Sequence, residues 1–160
     1  MTLVLYRIDD RLIHGQVVVG WGQPLDIGFI VLVDDAVAAS DWEQDLYRMG
    51  VPPEMDVYFQ SADEAIATLP RYRTDPRSGI LLTGNIETMK RLVDAGVDAV
   101  NVGGIHARTG RVQRMRYVFL TPEEELQLRE LAAHGATVTA QDVPGARPVS
   151  LDALLAGAEP

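Results

Sequence analysis

Apolar positions along the chain fall into two alternating patterns. Short β-prone runs stand at 3–6, 27–33, 55–60, 79–83, 99–102, 117–120 and 137–139. Between several of them lie stretches that carry helix-start signals. Ser61-Ala62-Asp63-Glu64 reads as a capping box, and Thr121-Pro122-Glu123-Glu124 puts proline at the first helical position. These signals predict helices over 62–69 and 122–134. Asn85 caps a helix through Met89 and Val93 that Gly96 ends, and Ser150 opens a short last helix through Leu151, Leu154 and Leu155. Strands alternating with helices predict an α/β fold, a single-domain open and mostly parallel sheet with helices on both faces. No repeat, low-complexity tract or linker divides the chain, so residues 1–160 are expected to form one domain.

One break in this pattern carries chemistry. The first apolar run stops at Arg7-Ile8-Asp9-Asp10-Arg11 and resumes as Gln16-Val17-Val18-Val19-Gly20-Trp21, a strand, a polar loop and a buried helix. His14 and Gly15 then fall at the helix start, where unpaired N–H groups and the helix dipole attract an anion. Imidazole is a nitrogen nucleophile, largely neutral near pH 7, that can accept and pass on a phosphoryl group. Arg11 offers a planar, permanently charged fork for phosphate oxygens, and Gly15 lets the backbone come close to the anion. At ~4 Å, opposite unit charges attract by about 4 kcal/mol at an effective dielectric of 20, before desolvation. Asp9 and Asp10 would repel phosphate, so their expected tasks are to orient His14 or Arg11, or to cap the helix. The residue order does not divide those tasks between them.

Composition narrows the field. A formal net charge of -9 argues against nucleic-acid binding, which needs a broad basic face, and against adsorption to anionic lipid. The chain has no cysteine, which excludes disulfides, thiol nucleophiles and cysteine-bound zinc. The longest apolar run, 27–33, is too short to span a bilayer, and charges at Arg7 to Arg11 interrupt any secretory pattern, so the expectation is a cytoplasmic protein with no direct membrane insertion. Gly20 and Gly22 complete no dinucleotide fingerprint, no Walker-type lysine loop is present, and the three histidines lack metal-ligand spacing. No metal or nucleotide cofactor is expected.

The segment Asp9-Asp10-Arg11-Leu12-Ile13-His14-Gly15-Gln16-Val17, with Trp21 following, resembles the signature of mannose/fructose/sorbose-type enzyme IIB components of the bacterial phosphotransferase system. Asn101-Val102-Gly103-Gly104, Leu120-Thr121-Pro122-Glu123-Glu124 and Gln141-Asp142-Val143-Pro144 are similar to later parts of that family. The resemblance implies an open α/β sheet and a phosphohistidine at His14, carried on Nδ1, with Arg11 neutralising the phosphate. It also implies a phosphorylated IIA protein or domain as donor, and delivery to a sugar during import through membrane IIC and IID subunits. The expected catalytic set is His14, Arg11 and Asp10, with Arg11, Gly15 and Gln16 around the phosphate. Two other functions fit the residues: a regulatory phosphocarrier serving no permease, and a metal-free acid/base enzyme in which Asp9 or Asp10 orients His14.

In a doubly wound sheet, ligands gather where loops leave the carboxyl ends of strands. The 9–14 loop is therefore expected to share a rim with Gly84-Asn85, Asn101, Gly103 and Gly104. Asn101 reads equally well as a turn residue and Gly103-Gly104 as flexible backbone, and the resemblance favours the rim. Arg108, Arg111, Arg114 and Arg116 crowd a nine-residue stretch of an acidic protein. That stretch reads as a solvated loop, as a docking surface for an acidic phosphoprotein partner with Arg108, Arg111 and Arg114 as its anchors, or as extra cations over the site. His106 reads as a loop side chain or a second imidazole, and Trp21 as core.

Overall fold

The computed structural model describes residues 3–157. Seven strands form one sheet in the order β3-β2-β4-β1-β5-β8-β9. They are β1 (Leu3–Asp9), β2 (Ile27–Val33), β3 (Asp56–Gln60), β4 (Ser78–Thr83), β5 (Ala99–Gly104), β8 (Thr137–Ala140) and β9 (Val149–Ser150). All neighbours pair in parallel except β9, which runs antiparallel to β8. Two further strands, β6 (Val112–Met115) and β7 (Val118–Leu120), form a separate hairpin. This is the expected α/β sheet.

Buried parallel strands are apolar on both faces, and β2 illustrates why its run is continuous. Phe29, Val31 and Val33 enter one core, while Ile30 and Leu32 enter the other. Helices α3 (Ala62–Arg73), α4 (Ile86–Asp94), α5 (Pro122–Ala133) and α6 (Leu151–Leu155) supply the first core through Leu69, Leu92, Leu128 and Leu154. The second core is covered by a π-helical segment, Gln16–Trp21, and by α1 (Asp35–Ala38), through Val17, Val18, Trp21 and Val37.

Helix starts follow the expected chemistry. Ser61 and Thr121 each close a reciprocal capping box with Glu64 and Glu124, and Asn85 accepts from the Thr88 N–H at 2.7 Å. Helix α3 runs past the expected 62–69 and through Pro70, whose missing N–H removes one intrahelical bond. Burial of Leu69 and Tyr72 holds that last turn in place. Helices α1 and α2 (Asp41–Met49), capped by Asp34 and Ser40, were not expected. The arginine-rich stretch is not wholly a loop, because Val112 to Met115 pairs with β7.

Strand β1 lies at the centre, flanked by β4 and β5, so the loop after Asp9 emerges at the carboxyl edge between two neighbours. Among the described residues, no helix is long and apolar enough to cross a membrane.

Candidate active site around His14

A strand places residues i and i+2 on one face, so Arg7 and Asp9 of β1 project together. Both side chains are fully buried, with Arg7 Nη2 3.3 Å from Asp9 Oδ2. Burying an ion pair is costly unless further hydrogen bonds offset it; here four more engage Nη1 and Nη2, while the buried Nε finds no partner among the described residues. Arg7 donates to Asn101 Oδ1 at 2.6 Å, Gln141 O at 2.9 Å, Gln16 Oε1 at 2.8 Å and Asp142 O at 3.2 Å. Its guanidinium also lies over the Trp21 ring, 5.2 Å from the centroid. Burial lowers the Arg7 pKa and the Asp9 charge opposes that fall.

Beyond Asp9 the chain turns sharply. The Leu12 N–H donates to Asp9 O at 3.0 Å, and Leu12 takes a left-handed conformation, φ 60°, with its side chain buried in the second core. A branched side chain at positive φ is uncommon and strained. This turn brings Arg11 and His14 back over the Asp9 carboxylate. Asp9 Oδ1 accepts from the Arg11 N–H at 3.1 Å and from Arg11 Nε at 3.4 Å, while Oδ2 lies 3.0 Å from His14 Nε2. Burial pushes the Asp9 carboxyl up, but His14, Arg7 and the Arg11 N–H together outweigh it and hold the group below its ordinary value.

An ionised carboxylate only accepts hydrogen bonds, so His14 Nε2 must carry the proton in this pair. In the neutral ring, the lone pair then sits on Nδ1. His14 is about one-fifth exposed and Arg11 about two-fifths. Arg11 Nη2 donates to Gln16 Oε1 at 3.2 Å, so the Gln16 amide oxygen receives both Arg7 and Arg11. The first helical hydrogen bonds run from the Val17 and Val18 N–H groups to His14 O, which leaves the N–H groups of Gly15 and Gln16 ahead of the helix's own ladder. Gly15 has ordinary helical dihedrals, and a Cβ there would meet open space. Its backbone conformation therefore does not require glycine.

Several expected site residues take other positions. Asp10, placed with His14 in the catalytic set, turns to His106 instead: it accepts from the His106 N–H at 2.7 Å and pairs with His106 Nδ1. Orientation of His14 falls to Asp9, because Asp9 shares the inward face of β1 while Asp10 has already left the strand. Asn101 is buried and accepts from Arg7. Gly103 and Gly104, expected at the rim, lie against the buried pair. A Cβ at Gly103 would lie 1.9 Å from Arg7 Cζ, and one at Gly104 would lie 3.0 Å from Asp9 Oδ1, so these glycines make room for the buried pair. Asn85 is spent on its cap, while Gly84, expected beside it at the rim, abuts Leu12 of the 9–14 loop.

Nor do the three arginines form one free cationic surface. Arg111 grips Glu124 with a fork of 2.9 and 2.8 Å and is one-tenth exposed, and Arg114 pairs with Glu125 at 2.7 Å. Acidic residues in the first turn of α5 have already neutralised both. Arg108 is exposed. Sequence reasoning missed Arg7, although a charge inside the apolar run of β1, two residues before an aspartate, was a usable signal. It singled out Gln141-Asp142 only as part of the resemblance and gave no site role to that loop, whose carbonyls hold Arg7 and, at Asp142, accept the Trp21 indole N–H at 2.8 Å.

Known proteins share this arrangement of strands. A solved structure described as the IIBSor domain of the sorbose permease from Klebsiella pneumoniae superposes with a TM-score of 0.86 at 30% identity, covering 98% of each chain. The N-acetylgalactosamine-specific phosphotransferase enzyme IIB component 1 of Escherichia coli is 34% identical over 150 residues, 90% of this chain and 92% of that one. The mannose-specific EIIAB component of Escherichia coli is 31% identical over 145 residues, which is 89% of this chain but 45% of that longer protein. The family model for the PTS system sorbose subfamily IIB component matches residues 3–160. With sheet order, relatives and family model in agreement over nearly its whole length, the chain belongs to the sorbose subfamily of PTS IIB components.

Proposed function

We propose that His14 carries a phosphoryl group on Nδ1, taken from a phosphohistidine of a IIA protein or domain and passed to a sugar hydroxyl during import. PTS IIB components act as phosphotransferases in sugar uptake, and the EIIAB name of one relative joins a IIA and a IIB part in one chain. The observation that carries the residue assignment is the Asp9 contact: it occupies His14 Nε2 and leaves the other ring nitrogen as the nucleophile.

In each transfer, one P–N bond of the donor breaks as the next bond to phosphorus forms. The first joins phosphorus to His14 Nδ1, and the second joins it to the sugar oxygen, whose proton leaves to solvent or a nearby base. Asp9 holds the ring and balances the positive charge it gains when Nδ1 is substituted. Arg11, fixed at Nε and Nη2, presents its guanidinium to the phosphoryl oxygens. The N–H groups of Gly15 and Gln16 offer further donors. Membrane IIC and IID subunits receive the sugar, and the carrier works on the cytoplasmic side.

Incubation with the general phosphotransferase proteins and a cognate IIA tests this. Intact-mass analysis should show a gain of one acid-labile phosphoryl group, peptide mapping should place it on His14, and His14→Ala should gain none. Label that persists in that variant would remove the assignment.

A further inference from the structure

Helix α2 shows its apolar side to solvent. Gln44 Nε2 donates to Val37 O at 3.0 Å and Ala38 O at 3.1 Å, Tyr47 packs against Phe59, and the Arg48 guanidinium lies 5.0 Å from the Phe59 centroid. These three residues define the side that faces the protein. On the opposite side, Trp42, Leu46 and Met49 recur at i, i+4 and i+7, within about 60° of one another on a helical wheel. They are 69%, 56% and 83% exposed, and no residue of α2 is buried. Among the described residues, the other large exposed apolar side chains, Val4, Val19, Val112 and Leu126, are scattered over four different elements.

A stripe containing an exposed tryptophan has the composition of an interface anchor. Its borders are acidic. Asp41 and Asp45 line one edge and Glu43 the other, with Arg48 already paired to Asp45 at 3.3 Å. A second copy of this chain would set those acids against each other, and an anionic lipid surface would repel them. A phosphorylated donor, anionic where it makes contact, is drawn to Arg11 rather than to this helix. The surface that complements an apolar stripe with acidic borders is apolar with a basic border, and cytoplasmic loops of membrane proteins carry an excess of lysine and arginine. We propose that the outward stripe of α2, Trp42, Leu46 and Met49, docks the chain onto the basic cytoplasmic loops of the membrane subunits. This assignment rests on the function proposed above, and it gives the acceptor side a surface separate from the Arg11 fork.

The test is cosedimentation with inverted membrane vesicles carrying IIC and IID subunits of a sorbose-type permease that takes up sugar with this chain, run alongside phosphorylation of His14 by IIA in solution. Trp42→Ala/Leu46→Ala and Asp41→Lys/Glu43→Lys should each weaken vesicle binding by roughly tenfold or more, with His14 phosphorylation near the wild-type rate. Trp42→Phe should retain binding, and circular dichroism should show the fold intact in all variants. Vesicle binding unchanged in the variants, absent in the wild type, or equally strong to vesicles lacking the two subunits would overturn the docking assignment. So would a stripe variant that slows phosphorylation by IIA, or one that turns a dimeric chain monomeric. Failure of the wild type to take phosphate on His14 would instead strike the functional reading, and binding to the vesicles is read independently of it.

Discussion

Asp9 Oδ2 lies 3.0 Å from His14 Nε2 and 3.3 Å from Arg7 Nη2, so one carboxylate oxygen links an immobile internal cation to the ring. The ring tautomer is set by a group that is itself held in place by the sheet.

Replacing that carboxylate by an amide should scramble the arrangement. In Asp9→Asn the side-chain NH2 can donate to Nε2 and so favour the opposite tautomer. The expected loss in phosphoryl uptake is about a hundredfold or more, by the tautomer logic established for catalytic triads. Nitrogen NMR of the ring should show the proton moved from Nε2 to Nδ1, and an unchanged tautomer would reject this account.

Acid titration gives a second check. The Asp9 carboxyl is held below its ordinary value of 3.8 in the folded chain. The unfolded chain therefore binds that proton first, and the Asp9 contribution is fully present above about pH 3.8 and is lost as pH falls toward the lower folded value. Urea unfolding as a function of pH should show stability dropping over that acid range, with a shallower drop in Asp9→Asn. Equal slopes would mean that other carboxylates dominate.

Space for the Arg7 guanidinium predicts coupling between two distant positions. Gly103→Ala forces a methyl group into Arg7 Cζ and should destabilise by about 3 kcal/mol. Arg7→Met alone leaves Asp9 short of its buried partner and should cost about 3–5 kcal/mol. Combined, the two should cost clearly less than their sum, because the flexible methionine can yield to the new methyl. A double-mutant cycle in urea measures this, and strict additivity would contradict it.

Arg11 should behave in the opposite way. It is an exposed side chain whose ion pair with Asp9 is screened by water, so Arg11→Ala should change stability by only about 0.5 kcal/mol while sharply slowing phosphoryl transfer. Arg11→Lys should recover part of the rate, since one ammonium does not reproduce the fork. Rapid-quench kinetics separates the three proteins, and equal rates would exclude a role for Arg11.

Strands were legible wherever apolar residues ran continuously, as in β2 and β4, because burial on both faces leaves no polar interruption. Caps at Ser61, Asn85, Thr121 and Ser150 were equally plain, since their hydrogen bonds are local. Helix α2 escaped notice because its apolar stripe faces outward and no core demanded it. The arginines of β6 masked a strand whose partner, β7, is itself only three residues long. His14 and Arg11 stood out from charge and position alone. The division between Asp9 and Asp10, and the service of Asn101 and Gly103 to Arg7, depend on contacts between strands far apart in the chain, which no local pattern encodes.

Leu12 joins two opposed demands at one position. Its backbone sits where glycine would be more comfortable, yet its side chain plugs the hydrophobic layer beneath the loop. A glycine there would release the torsional tension and also pull the plug, letting the segment wander. The span between guanidinium and imidazole is thus tensioned from below, like a string over a bridge, and the pitch of the site depends on a residue whose side chain points away from it into the core.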